Sequence, residues 1–293
     1  MAGNDDKVRA RARLTWMAER AFGLEAVAVR VSAAAVDVIV DDCSAKPQAA
    51  EIAPLPRPVA AAPLVKATST AVTTGGKVPK LIVPLPPPFT SAVGTAEEKS
   101  ITLTQLDVGF VKGCTRCGLS ASRTQTVFGE GDVDAPIMFI GEGPGENEDL
   151  SGRPFVGRAG ELLDRMITNG MGLRRDQVYI CNIVKCRPPG NRAPMPDETA
   201  ACTPYLVKQI ETIRPKVIVT LGAPAAKYIL QNDKLSITGI RGTWHAYRGI
   251  KVMPTFHPAY ILRKYTTEVR GQVWDDLKAV MHELGLPVQK RGA

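Results

Sequence analysis

The sharpest chemical spacing in the sequence is Cys-x2-Cys at Cys114 and Cys117. Two thiols one turn apart can clasp one metal or cluster. Cys186 and Cys202, with 15 residues between them, raise the candidate ligands to four. Four thiolates hold zinc or an iron–sulfur cluster, and spacing does not separate the two. A redox role for Cys-x2-Cys needs a strand-to-helix setting that is missing here. Three more segments carry reactive types. Gly-Glu-Gly-Pro-Gly-Glu-Asn-Glu-Asp (141–149) runs on into Gly-Arg-Pro-Phe-Val-Gly (152–157). Its glycines let backbone N–H groups approach a ligand; lacking a Gly-Lys-Ser/Thr ending, it is no phosphate loop. Cys-Asn-Ile-Val-Lys-Cys-Arg-Pro-Pro-Gly-Asn-Arg (181–192) sets Asn182 in an apolar strand. A buried amide without partners costs roughly 1–3 kcal/mol, so it is tied to backbone or reads a planar ligand. Thr-Phe-His-Pro-Ala-Tyr-Ile-Leu-Arg-Lys (255–264) puts His257 directly after a strand, with Pro258 stiffening the turn. Cys181 reads as a small core residue and Cys43 as a free thiol.

The elements that must position these loops follow from the apolar pattern. Strands are expected over 136–140, 178–184, 216–221 and 250–255. Helices are expected over 160–167, 197–213, 224–230 and 267–284, with Asp197 and Glu198 suited to a first turn. Strands alternating with helices imply an α/β domain, its mostly parallel sheet covered on both faces. In such sheets ligands gather where the strands' carboxyl ends open into loops.

The whole chain has 293 residues, 44% of them hydrophobic, which excludes a coiled coil, a collagen or a cysteine-knot protein. Six cysteines are too sparse for a disulfide scaffold. The first hundred residues hold 10 of the 23 prolines, with 12 basic and 10 acidic side chains; the remaining 193 hold 25 and 19. The basic excess therefore lies mainly in the C-terminal part, where it permits a polyanionic partner. A short helix fits within 1–43, from Leu14, Met17, Ala21 and Leu24. Residues 44–104 read as an Ala/Pro-rich, largely disordered linker. Residues 105–293 form the α/β domain. The apolar run over 26–40 is too short and too charged to span a bilayer. Neither a secretory signal nor a transit peptide is recognised, so a cytoplasmic protein is expected.

Taken together, the motifs 141–149, 152–157, Asn-Ile-Val-Lys-Cys-Arg-Pro-Pro (182–189) and His-Pro-Ala-Tyr-Ile-Leu-Arg (257–263), with the four cysteines, resemble the family 4 uracil-DNA glycosylases. The resemblance covers about residues 105–287. It implies a three-layer glycosylase fold with a central mostly parallel sheet, and excision of uracil from single- and double-stranded DNA to leave an abasic site. It also implies a [4Fe-4S] cluster on Cys114, Cys117, Cys186 and Cys202, in a structural role. Phe155 looks like the aromatic stacked on uracil, and Asn182 like the amide reading its edge. His257 looks like the donor to uracil O2. Glu142 is placed on the attacking water or the sugar cation, with Glu148 a second acidic candidate in support. Gly143 and Asn191 are counted as substrate-lining. Gly143 stands where the best-known uracil glycosylases have an aspartate base, so a dissociative mechanism is expected. Arg187, Arg192, Arg263 and Lys264 are candidate phosphate contacts, and Leu262 a candidate wedge.

Two rivals are carried beside a zinc or iron–sulfur interaction module, which explains the cysteines but not the other loops. One is a covalent relative using a histidine in a basic loop; His245, in Arg-Gly-Thr-Trp-His-Ala (241–246), lacks that loop's arginines and reads as structural. The other is an idle, DNA-binding accessory protein of replication. A monomer is expected, with a protein partner for the N-terminal extension.

Overall fold

Four short apolar runs become the parallel heart of a six-stranded sheet in a computed structural model that describes residues 94–288. They are β2 (Ile137–Gly141), β3 (Tyr179–Asn182), β4 (Val217–Leu221) and β6 (Ile250–Thr255). Nearly every residue in them is buried, as expected of strands covered on both faces. Two further strands close the edges antiparallel: β1 (Glu130–Gly131) beside β3 and β5 (His245–Tyr247) beside β6. The order is β1-β3-β2-β4-β6-β5. Neither edge strand was expected, because two or three residues of mixed polarity show no alternation to read.

Helices cover the sheet. One face of the strands (Ile137, Phe139, Val217, Val219) packs with Leu163 of α3 (Arg158–Arg165) and with Leu277 and Val280 of α8 (Thr267–Glu283). The alternate residues Met138, Ile140, Ile218 and Val252 are equally buried, so the opposite face is covered too. That matches the expected three layers. The remaining helices are α1 (Ala96–Leu106), α2 (Glu146–Ser151), α4 (Pro196–Ile213), α5 (Ala223–Ile229), α6 (Ile237–Ile240) and α7 (Pro258–Arg263). No helix among the described residues is long and apolar enough to cross a membrane.

The expected linker boundary at 104 needs correction. Residues from Ala96 are helical: Thr95 accepts the N–H of Glu98 at 3.2 Å while Glu98 accepts that of Thr95 at 2.8 Å. This reciprocal cap starts the helix in a segment whose composition resembles linker. The buried Lys99 then donates to Asp134 at 2.6 Å and to the Ile213 carbonyl at 3.2 Å, fastening α1 to the domain. The expected helix within 1–43, Cys43 and the linker before residue 94 lie outside the described residues.

The chain leaves β2 for β3 on one side and returns past it to β4 on the other. The carboxyl ends of these strands therefore border a switch point, where a crevice must open.

Candidate active site

That crevice is a cavity of about 600 Å³. Its wall includes Glu142, Phe155, Asn182, Gly222 and His257. Strand geometry places each of them. Asn182 is the last residue of β3 and pairs in register with Gly141, the last of β2. Its side chain is buried, 1% exposed, and its Oδ1 has no hydrogen-bond partner. An orphaned acceptor at such depth is a defect unless a ligand donates to it.

Gly141 makes room for that acceptor. A Cβ there would stand 2.4 Å from Asn182 Oδ1 and 2.5 Å from Phe155 Cζ. Phe155 itself has a left-handed backbone, φ 52°. A bulky residue rarely adopts this conformation, and such strain gathers at sites. Gly160 permits the kink, since a Cβ there would strike the Phe155 carbonyl oxygen at 1.9 Å. The Phe155 ring lies 5.6 Å from the His257 ring, centroid to centroid.

His257 caps α7. Its Nδ1 accepts the Ala259 N–H at 3.1 Å, so the neutral ring carries its proton on Nε2. Burial first, and then the charge of Arg263, push its pKa down to about 4, with Glu148 acting the other way. Near pH 7 His257 is therefore a neutral donor.

The two glutamates divide. Glu148 Oε1 accepts the N–H groups of Val156 and Gly157, each at 2.9 Å, and Oε2 accepts that of Gly145 at 3.0 Å. Its oxygens hold the glycine loop around Phe155, the geometry that a support role requires. Buried Asp149 anchors the same helix by accepting the Thr124 N–H at 3.0 Å. Glu142 lines the cavity, and burial pushes its carboxyl above the ordinary range.

The surface cations also sort. Arg192 forks onto Glu198 at 2.8 and 2.6 Å, a bidentate pair that competes with the expected phosphate contact. Arg187 donates to Asn191 Oδ1 at 2.8 Å and pairs with Glu146 at 3.5 Å. Asn191 is exposed and lines the cavity. Arg263 and Lys264 are exposed at the end of α7. Leu262 is half-buried on α7 and is not among the lining residues, and neither is His245. Gly143 lines the cavity, and a Cβ there would press on Val184 Cγ2 at 2.9 Å. Arg158, at the mouth, was missed because a single arginine in a polar loop reads as surface.

Cys114, Cys117, Cys186 and Cys202 line one small second cavity, about 10 Å³ as the side chains lie, and none is in a disulfide. Arg123 donates to Cys186 Sγ at 3.1 Å, Tyr205 Oη to Cys114 Sγ at 3.3 Å, and the Lys185 N–H to Cys202 Sγ at 3.3 Å. Donors aimed at sulfur are what bound thiolates take. Among the described residues no three His, Cys, Asp or Glu side chains close on a point as a lone ion needs. Burial pushes the Cys202 thiol up to about 11. Cys181 is fully buried in β3, a core residue as expected.

Residues 128–278 match the family model described as the uracil DNA glycosylase superfamily. The match spans the cavity residues together with Cys186 and Cys202, and begins after Cys114 and Cys117. A type-4 uracil-DNA glycosylase of Thermotoga maritima is 53% identical over 171 residues, 57% of this chain and 88% of that protein. One of Sulfurisphaera tokodaii is 50% identical over 177 residues, 58% and 80% of the two chains. One of Saccharolobus solfataricus is 48% identical over 182 residues, 59% and 83%.

Proposed function

The chain belongs to the uracil-DNA glycosylase superfamily, and from that premise we propose that it is a monofunctional type-4 enzyme that hydrolyses the N-glycosidic bond of uracil in DNA. The observation that carries this is the unpartnered Oδ1 of Asn182 at the buried end of the cavity. Uracil presents an N3–H there. Cytosine presents an acceptor and leaves Oδ1 orphaned, which is discrimination by an unpaired polar group.

The glycosidic bond lies inside a duplex, so the nucleotide must turn out into the cavity. Phe155 offers its ring to the base, a contact worth about 1–3 kcal/mol with any base. Asn182 then accepts N3–H. As the bond lengthens, negative charge grows on the base and positive charge on the sugar. The Nε2–H of His257 donates to uracil O2, a contact stronger in the transition state than in the ground state. Glu142 faces the sugar cation and its attacking water. With Gly143 beside it in place of an acid, stabilising the departing base outweighs activating water. Among the described residues that line the cavity there is no lysine to attack the sugar, in keeping with an abasic site as the proposed product.

Cys114, Cys117, Cys186 and Cys202 would hold a [4Fe-4S] cluster. An all-sulfur set with three donors aimed at sulfur fits it. When bound it supplies a cross-link, since hydrolysis moves no electrons. Arg158 and Arg263, which line the cavity, and the exposed Lys264 next to Arg263 are offered as contacts for the DNA backbone. A monomer acting in the cytoplasm on uracil in single strands and in duplexes completes the proposal.

The test is incubation with a uracil-containing oligonucleotide, then alkali to cut at abasic sites. Cleavage at uracil alone is expected, from single strands and from U·G pairs. Protein that leaves uracil intact refutes the function. A stable protein–DNA adduct in place of turnover points to the covalent rival.

A further inference from the structure

Lys185 is fully buried, 0% exposed, on the stretch between Asn182 and Cys186. Its ammonium donates to the main-chain carbonyl of Asn182 at 2.8 Å and to Gln209 Oε1 at 2.6 Å. Both hydrogen-bond acceptors are neutral; Asp107, Cys181 and Cys202 act on it only at longer range, and the Phe128 ring lies 5.9 Å from its Nζ. A charge buried on neutral oxygens costs more than an apolar chain of equal length, so packing alone does not explain a lysine here. Gln209 is fully buried as well. Its amide nitrogen donates to the Phe128 carbonyl at 2.9 Å and to Tyr179 Oη at 3.1 Å. Tyr179 opens β3 and Asn182 closes it, so the network grips both ends of one strand.

Asn182 needs such a grip. With its Oδ1 unpartnered, the direction of its amide must be set through the main chain. We propose that Lys185 is the positioning residue of base recognition: its ammonium fixes the peptide that follows Asn182 and so aims Oδ1 at the N3–H of uracil. This rests on Asn182 as the uracil-reading amide.

The test compares full-length wild type with Lys185→Met, Asn182→Ala, their double mutant and Gln209→Met. It reads excision kinetics, inhibition by free uracil, visible absorbance per protein and circular dichroism. Lys185→Met is expected to raise KM and the uracil inhibition constant about tenfold, with kcat within about threefold. Its visible absorbance should match wild type, because the N–H to Cys202 is main-chain and survives the substitution. In the Asn182→Ala background Lys185→Met should change kcat/KM by less than about twofold, as residues acting through one another are non-additive. An equal penalty in both backgrounds, unchanged uracil inhibition, or loss of colour in Lys185→Met overturns the proposal. If Lys185→Met does not fold, Gln209→Met carries the test. It removes one acceptor from the ammonium and should show a smaller rise with the same dependence on Asn182; additivity there overturns the proposal too. Wild-type protein that leaves uracil intact sinks the proposed function instead, so the two failures are distinct.

Discussion

Replacing Gly141 with alanine adds one methyl where two recognition groups meet. That Cβ would stand 2.4 Å from Asn182 Oδ1 and 2.5 Å from Phe155 Cζ. Ordinary contact is near 3.5 Å, so each group must retreat by roughly an ångström. Gly141 is not in the left-handed region, so alanine brings no backbone strain and the effect belongs to the methyl. Overpacking of this kind costs about 1–3 kcal/mol. A misplacement of about an ångström at reacting groups costs on the order of a hundredfold in rate. Gly141→Ala is therefore expected to remain folded, lose about 1–3 kcal/mol in urea denaturation, and fall about 30–300-fold in kcat/KM on a uracil oligonucleotide. Gly109→Ala, whose Cβ would meet nothing within 4 Å, is the control for activity and should leave kcat/KM unchanged. The assay is single-turnover excision resolved on a gel. Activity of Gly141→Ala within about threefold of wild type would falsify the assignment of Asn182 and Phe155 to the base.

Four other outcomes are expected. His257 is neutral in the folded protein down to about 4, whereas an unfolded imidazole takes its proton near 6.5. Stability should therefore fall as pH drops from 6.5 to about 4, and urea titrations of His257→Gln should lack that slope. Glu148→Gln keeps one acceptor oxygen where three N–H groups now converge, and should lose roughly 1–3 kcal/mol in denaturation. Glu142→Gln should instead slow single-turnover excision without destabilising the fold, since burial already disfavours its charge. Cys202→Ala should lose visible absorbance and bound iron, while Cys181→Ala, buried in β3, should keep both; equal iron in the two variants would remove Cys202 from the ligand set.

The central strands were legible because a parallel sheet buries both faces, so β2, β4 and β6 read as mainly apolar runs, interrupted in β6 by the exposed Lys251. The edges β1 and β5 were not, since neither has a side-chain period. Helix α2 has no apolar stripe; Glu148 and Asp149 hold it from outside, through contacts that no local pattern contains. Asn182 stood out as a polar residue in an apolar strand, but only its register with Gly141 and its empty Oδ1 show which way it faces. Lysine normally signals surface, which hid Lys185 inside a network closed by Gln209, 24 residues further on. Arg192 illustrates the converse. Its charge was plain, but Glu198 as its partner depends on how the loop meets the first turn of α4.

Apart from Phe155, the residues assigned to the base and sugar sit at or just past the ends of buried strands. Asn182 ends β3, Glu142 follows β2, and His257 comes two residues after β6. Among the described residues these three positions therefore loosen only with the sheet. Half-inactivation and melting should fall at one temperature, because the recognition geometry is the rim of the sheet itself and lasts as long as the sheet does.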